Sequence, residues 1–122
     1  MRAASVPRTQ GVLAKATVRA AEHLGLSGAA LARVVGVSEA SVSRLRRGDL
    51  DVSPESKEGQ LAALVVRLFR SLDAIVGNDS SKVAAWMNSP NQALKGVPRE
   101  LIESPQGLVV TLQYVDSMRA MS

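Results

Sequence analysis

The chain has 122 residues, 46% of them apolar but only 2% aromatic, with no cysteine and a net charge of +4. That length fits one domain or two small units sharing a core, and the core must be aliphatic. The composition excludes a disulfide framework and thiolate chemistry, and it argues against single-strand nucleic-acid binding, which relies on bases stacking on rings.

The charge is uneven. Nine basic and six acidic residues fall in 1–60, against six and five in 61–122, a modest excess suited to phosphate contact at the N-terminal end. His23, the lone histidine, has no companions at metal-ligand spacing and reads as a surface or packing residue. No apolar run approaches the roughly 18 residues that span a bilayer, and the basic N-terminus lacks the apolar block of a signal peptide. The expected location is a bacterial-type cytoplasm, with no membrane partner.

Residues 1–9 are basic and interrupted by Pro7, which reads as a loose arm. From Gln10, Val12, Leu13, Ala16, Ala20 and Leu24 recur at helical intervals up to Gly25, giving a first helix behind the segment that follows. That segment, LSGAALARVVGVSEASVSRLRRG over 26–48, organises the chain. Ser27 can cap a helix with Leu31, Ala32 and Val35 on its apolar face; Gly36 allows a left-handed exit; Ser38 can cap a second helix with Val42 and Leu45 inward. Ala32 is small where two steeply crossed helices must touch. An ordinary helical hairpin also turns on a glycine. The full register, with its Arg44-Leu45-Arg46-Arg47 ending, is that of a helix-turn-helix, whose second helix enters the DNA major groove.

With Val42 and Leu45 buried, helix geometry turns Glu39, Ala40, Ser43, Arg44 and Arg47 outward. Arg44 and Arg47 can reach a guanine edge or phosphates. Ser41 and Ser43 are small donors, and Ser38 can offer a phosphate its hydroxyl and the helix-start amides. Glu39 is the awkward member, repelled by phosphate unless it accepts from cytosine. The expected DNA-binding set is Ser38, Glu39, Ser41, Ser43, Arg44, Arg46 and Arg47. A homodimer on two half-sites of double-stranded DNA is expected, because one module of this size rarely suffices.

After Gly48, DLDVSPESKEG reads as a connector with one turn at Ser53-Pro54. A helix from Gln60 to about Val76 then carries Leu61, Leu64, Val65, Leu68, Leu72, Ile75 and Val76, with Val66 and Phe69 further round. Arg67, Arg70 and Asp73 keep one edge polar. One apolar surface suits the N-terminal bundle; the other needs a second domain or subunit. We therefore divide the chain at this helix: 1–76 for DNA, including the helix, and 77–122 as a second unit.

The second unit begins with Asn78-Asp79 capping a helix to Met87. Asn88-Ser89-Pro90-Asn91 breaks it before a short turn, Gln92-Ala93-Leu94. Gly96-Val97-Pro98 breaks the chain again ahead of a short helix over Arg99–Glu103. A last helix runs from Ser104-Pro105 to about Met118, leaving Arg119 to Ser122 as a free tail. No stretch alternates like a strand, so the fold class is all-α. The second unit shows no positive patch comparable to the first and reads as a lid on the long helix or as a protein-docking module. Glu100 and Glu103 read as a solvated first-turn acid pair. No nucleophile with a histidine, no glycine-rich phosphate loop and no metal-spaced acids occur. The expectation is a protein that is not an enzyme and carries no cofactor or metal.

The order of motifs resembles a known family. GVSEASVSRLRRG, then LVVRLFRSLDAIVGND, AAWMNSPNQALKGVPRELI and SPQGLVVTLQYVDSMR are similar to the Xre/MbcA/ParS-type antitoxins of bacterial type II toxin–antitoxin systems, the group paired with RES-domain toxins. Phe69 stands where tyrosine is expected. The resemblance implies an Xre-like helix-turn-helix bundle that represses its own promoter, joined by the long helix to a toxin-binding unit that occludes the toxin's active site. It implies NAD depletion as the toxin's chemistry, a dimeric antitoxin and a larger toxin–antitoxin complex. The toxin-binding residues it implies are Trp86, Asn91, Gly96, Pro98, Tyr114, Asp116, Arg119 and Ser122, with the tail after Asp116 nearest the toxin's pocket. Two other readings stay open: a stand-alone helix-turn-helix regulator whose second unit dimerises or senses a ligand, and the antitoxin of a different toxin class.

Overall fold

The computed structural model describes residues 10–121; the expected arm over 1–9 and Ser122 lie outside the described residues. Their order is α1 (Val12–Leu24), α2 (Gly28–Val35), α3 (Glu39–Arg47), α4 (Lys57–Val76), α5 (Ser80–Asn88), α6 (Pro98–Leu101) and α7 (Pro105–Met121). The chain is all-α: among the described residues there is no strand, only one bridge between Asn91 and Gly96.

Short polar side chains start most of these helices. Ser27, Ser38 and Ser56 accept from the amides of Ala30, Ser41 and Gly59, and Asp79 accepts from those of Ser81 and Lys82. Each bond satisfies a donor that has no partner inside the helix. The turn between α2 and α3 has Gly36 at φ +83°, a conformation that costs a residue with a β-carbon roughly 1–2 kcal/mol. The helix-turn-helix expected over 26–48 is therefore present, with Val42 and Leu45 buried as its register requires.

α4 starts at Lys57, three residues ahead of the expected Gln60. Apolar periodicity begins only at Leu61, whereas the start is set by the Ser56 cap and by a turn in which Ser56 donates to the Ser53 carbonyl. The greater difference lies at the far end. Arg119 to Ser122 was expected to be a free tail, yet α7 continues to Met121 and the Arg119 guanidinium bonds Ser71 on α4.

α4 packs against α1 on one side and α7 on the other. Ala62, Val65, Val66, Leu68 and Leu72 are buried between Ala14, Ala20, Ala21 and Leu24 of α1 and Leu108, Leu112 and Val115 of α7. The apolar surface expected to need a second domain or subunit is covered by the chain's own last helix. Val83, Met87 and Ile102 close the end of this layer. Each fully buried leucine contributes about 1.5–3 kcal/mol, more than an exposed ion pair at about 0–1 kcal/mol, so burial rather than charge holds the layers together.

The junction of α6 and α7 explains one glycine. Ser104 accepts from the Gly107 amide at 3.0 Å, and a β-carbon on Gly107 would collide with the Leu101 carbonyl oxygen. α7 is thereby set hard against the end of α6. Gly107→Ala is expected to lower unfolding free energy by about 1–3 kcal/mol through overpacking, measured by chemical denaturation; an unchanged midpoint would show that the junction opens without strain.

Candidate functional site

α3 is amphipathic for a simple reason: Val42 and Leu45 face the core one turn apart, and everything between them is polar or small. Glu39, Ala40, Ser43, Arg44, Arg46 and Arg47 are exposed, and Ser41 is half-buried. The three arginines differ in what holds them. Arg46 folds back over the start of α2, its guanidinium donating to the Leu26 carbonyl at 3.4 Å and lying beside Gly28. Arg47 pairs with Asp49 at 3.2 Å, both about three-fifths exposed, a contact that presets the side chain without locking it. The Arg44 guanidinium makes no hydrogen bond or ion pair among the described residues.

Ser38 uses its hydroxyl twice, accepting from the Ser41 amide at 3.0 Å and donating to the Ser41 hydroxyl at 3.1 Å. The outward donor at the start of α3 is therefore the Ser41 hydroxyl, alongside the amides of the first turn. Gln10, ahead of α1, donates to the carbonyls of Leu45 at 2.8 Å and Leu50 at 2.7 Å. One amide so ties the end of α3 to the start of the chain's first helix.

The second group of expected site residues divides by role. Asn91, Gly96 and Pro98 build the loop between α5 and α6. Asn91 and Gly96 exchange backbone bonds at 2.8 and 3.2 Å, and the Asn91 side chain accepts from the Leu94 amide at 3.0 Å. Pro98 opens α6 and is buried. Trp86 is half-buried and lines an open cleft of about 390 Å³ with Val76, Lys82, Ala85, Pro90 and Asn91. Tyr114 is half-buried on α7.

Asp116 and Arg119 belong to a different cleft, between α4 and α7. Arg67 donates to one oxygen of Asp116 and Ser71 to the other, each at 2.7 Å, and Arg119 donates to the Ser71 hydroxyl at 3.3 Å. Arg70 lines the same space. The second unit by itself adds only Arg119 to this cleft; the positive patch arises where that unit meets α4. The arginines come from two helices, so no run of charge in the sequence announces them. The i, i+3 pair Arg67–Arg70 on α4 was the available signal; the buried Ser71 beside it gave none.

The Xre-like antitoxin helix-turn-helix domain model matches residues 5–67. The chain belongs to the Xre-type antitoxins. A second family model, the Xre/MbcA/ParS C-terminal toxin-binding domain of antitoxins, matches residues 71–120, so the two meet inside α4. The antitoxin is also similar to a chain of the crystal structure of the M. tuberculosis MbcT–MbcA toxin–antitoxin complex. The TM-score is 0.67 at 26% identity, covering 90% of this chain and 96% of that one. No curated protein matches the sequence at a significant level. Among the described residues no helix is long and apolar enough to cross a membrane.

The helix-turn-helix and the C-terminal unit of this antitoxin are also joined by charge. Arg33 on α2 forks onto Glu103, just past α6, at 2.7 and 3.2 Å. Glu103 is therefore not the solvated first-turn acid that the sequence suggested. The hydrogen bond from Arg33 holds the Glu103 carboxyl below its ordinary range and raises the guanidinium. A depressed carboxyl pKa gives stability that is present above the ordinary carboxylate range and lost as pH falls through the folded value. Glu103→Gln is accordingly expected to lower the denaturation midpoint at neutral pH, with the gap from wild type closing in acid. A gap that does not depend on pH would show that the bridge contributes nothing through charge.

Proposed function

We propose that this antitoxin neutralises a RES-type, NAD-depleting toxin by covering the toxin's active site with its C-terminal unit, and that it represses its own operon as a homodimer through α3. The observation that carries the reading is a coincidence of spans. The segment matching the toxin-binding domain, 71–120, holds Trp86 in one open cleft and Asp116 and Arg119 in another. Trp and Arg are the residue types that most often anchor protein interfaces. In this reading the NAD chemistry belongs wholly to the toxin, and the antitoxin, itself no enzyme, contributes shape and charge without a cofactor of its own.

DNA and toxin would draw on separate side chains. α3 presents Arg44 unpaired and Arg47 held only by an exposed partner, so both are available to base edges and phosphates. Residues 1–76 would serve the operator and 77–122 the toxin, with α4 common to both. The end of α7, followed in the sequence by Ser122, would lie nearest the toxin's pocket.

Replacing Arg44 and Arg47 together with Ala is expected to abolish operator binding, at about 1–3 kcal/mol for each lost base contact, and to flatten its salt dependence. Gel-shift titration at two salt concentrations checks this, and the same protein should still rescue cells from the toxin. Retained affinity with an unchanged slope would take α3 out of the interface. Trp86→Ala should do the converse, losing rescue while keeping the operator. Removing 120–122 tests occlusion by the tail more cleanly than cutting at Asp116, which would also break the bonds to Arg67 and Ser71. A folded truncation that neutralises as well as the full chain would leave docking at Trp86 as the mechanism.

A further inference from the structure

We propose that the cleft between α4 and α7, floored by Ser71 and Asp116 and walled by Arg67, Arg70 and Arg119, receives a carboxylate side chain of the toxin. The inference rests on the toxin-binding reading above.

The floor is fixed. Ser71 is 3% exposed, its hydroxyl hydrogen goes to Asp116, and the second Asp116 oxygen takes Arg67. Arg119 gives one N–H to a neutral hydroxyl, and the Arg70 side chain has no bond among the described residues. A guanidinium carries five donors and keeps its charge at any physiological pH. Among the described residues, three arginines and one aspartate line the cleft, a local surplus of two positive charges.

Pairing Asp116 needs only one arginine. Of the two further guanidiniums, Arg119 spends one N–H on the Ser71 hydroxyl and Arg70 lines the cleft without a side-chain bond among the described residues, so both keep donors to spare. Their forks are suited to a planar oxyanion, which they can grip through two parallel bonds. The cleft, about 600 Å³ and open to solvent, admits a side chain from outside.

Two observations favour a protein carboxylate over a DNA phosphate. Ser71, Asp116, Arg119 and Ala120 of the lining all fall in the span matched by the toxin-binding domain, and α3 contributes none of it. Asp116 also sits in the floor, where it repels each unit of incoming negative charge. A singly charged carboxylate suffers this less than the charged phosphate ladder of a duplex, whose charges arrive together.

The test uses the full antitoxin and its toxin, with affinity measured by calorimetry at two salt concentrations. Arg70 is the residue to change, because no bond in the fold depends on it. Arg70→Glu is expected to weaken toxin binding about tenfold or more and to flatten its salt dependence, since it sets like charge against like. Arg70→Lys should stay close to wild type, and both variants should still bind operator DNA. Equal affinity and equal salt slope for Arg70→Glu would overturn the cleft while leaving wild-type toxin binding, and so the toxin-binding reading, in place. A variant that loses operator binding, or changes the mass of the free antitoxin, while holding the toxin as wild type does would also overturn it. A wild-type protein that binds no toxin would overturn both.

Discussion

α4 has to be buried on two sides at once, and the arrangement of the other helices follows from that. Its apolar surface is too wide for one neighbour, so α1 takes one flank and α7 the other. A core with so few aromatic rings must fill its volume with branched aliphatics: the largest fully buried side chains are leucines, Met87, Ile102 and valines. Such side chains pack closely from both faces of a central helix. The first and last helices are thereby held on opposite flanks of α4, although they are far apart in the sequence.

The polar contacts are laid over this core in a different pattern. Most ion pairs are exposed at the surface, and each adds little stability. Several join elements far apart in sequence: Gln10 to the end of α3, Arg33 to Glu103, and Arg67 and Ser71 to Asp116. Their main effect is on register, fixing how α2, α6 and α7 meet. Thr111 is the exception, a buried hydroxyl with no partner among the described residues; nothing in the structure explains it.

The helix-turn-helix was legible because its signals are local. Ser27, Gly36 and Ser38 each act within a turn of their own position, and two buried residues set the whole outward face of α3. The long helix was legible from its stripe of leucines and valines. That its second side needs a second domain or a subunit was legible too, with the second unit read as a lid on the long helix or a docking module; that α7 is the helix that covers it was not, because α7 lies far along the chain from α4. The Arg-lined cleft failed to show for the same reason. Arg67, Arg70 and Arg119 look like scattered solvated charges until two helices are laid side by side. Trp86 was visible as a lone ring at a break, while the roles of Asn91, Gly96 and Pro98 as loop builders depended on bonds across the turn. The resemblance to the antitoxins supplied the division of labour between the two halves, which the residues alone had left open.

α4 is 20 residues long, a straight span of about 30 Å at 1.5 Å per residue. One continuous cluster of buried residues runs from Val42 on α3 to Val115 on α7, so no flexible joint separates the two ends. The helix is in effect a ruler. If α3 enters a groove as proposed, whatever the C-terminal unit holds would be presented at a set offset and angle from it. Two such molecules on neighbouring sites would have their cargo placed by the DNA's own helical repeat. A few base pairs added between sites would swing one cargo around the duplex relative to the other, and the operator's spacing would thus select the shape of the assembly built on it.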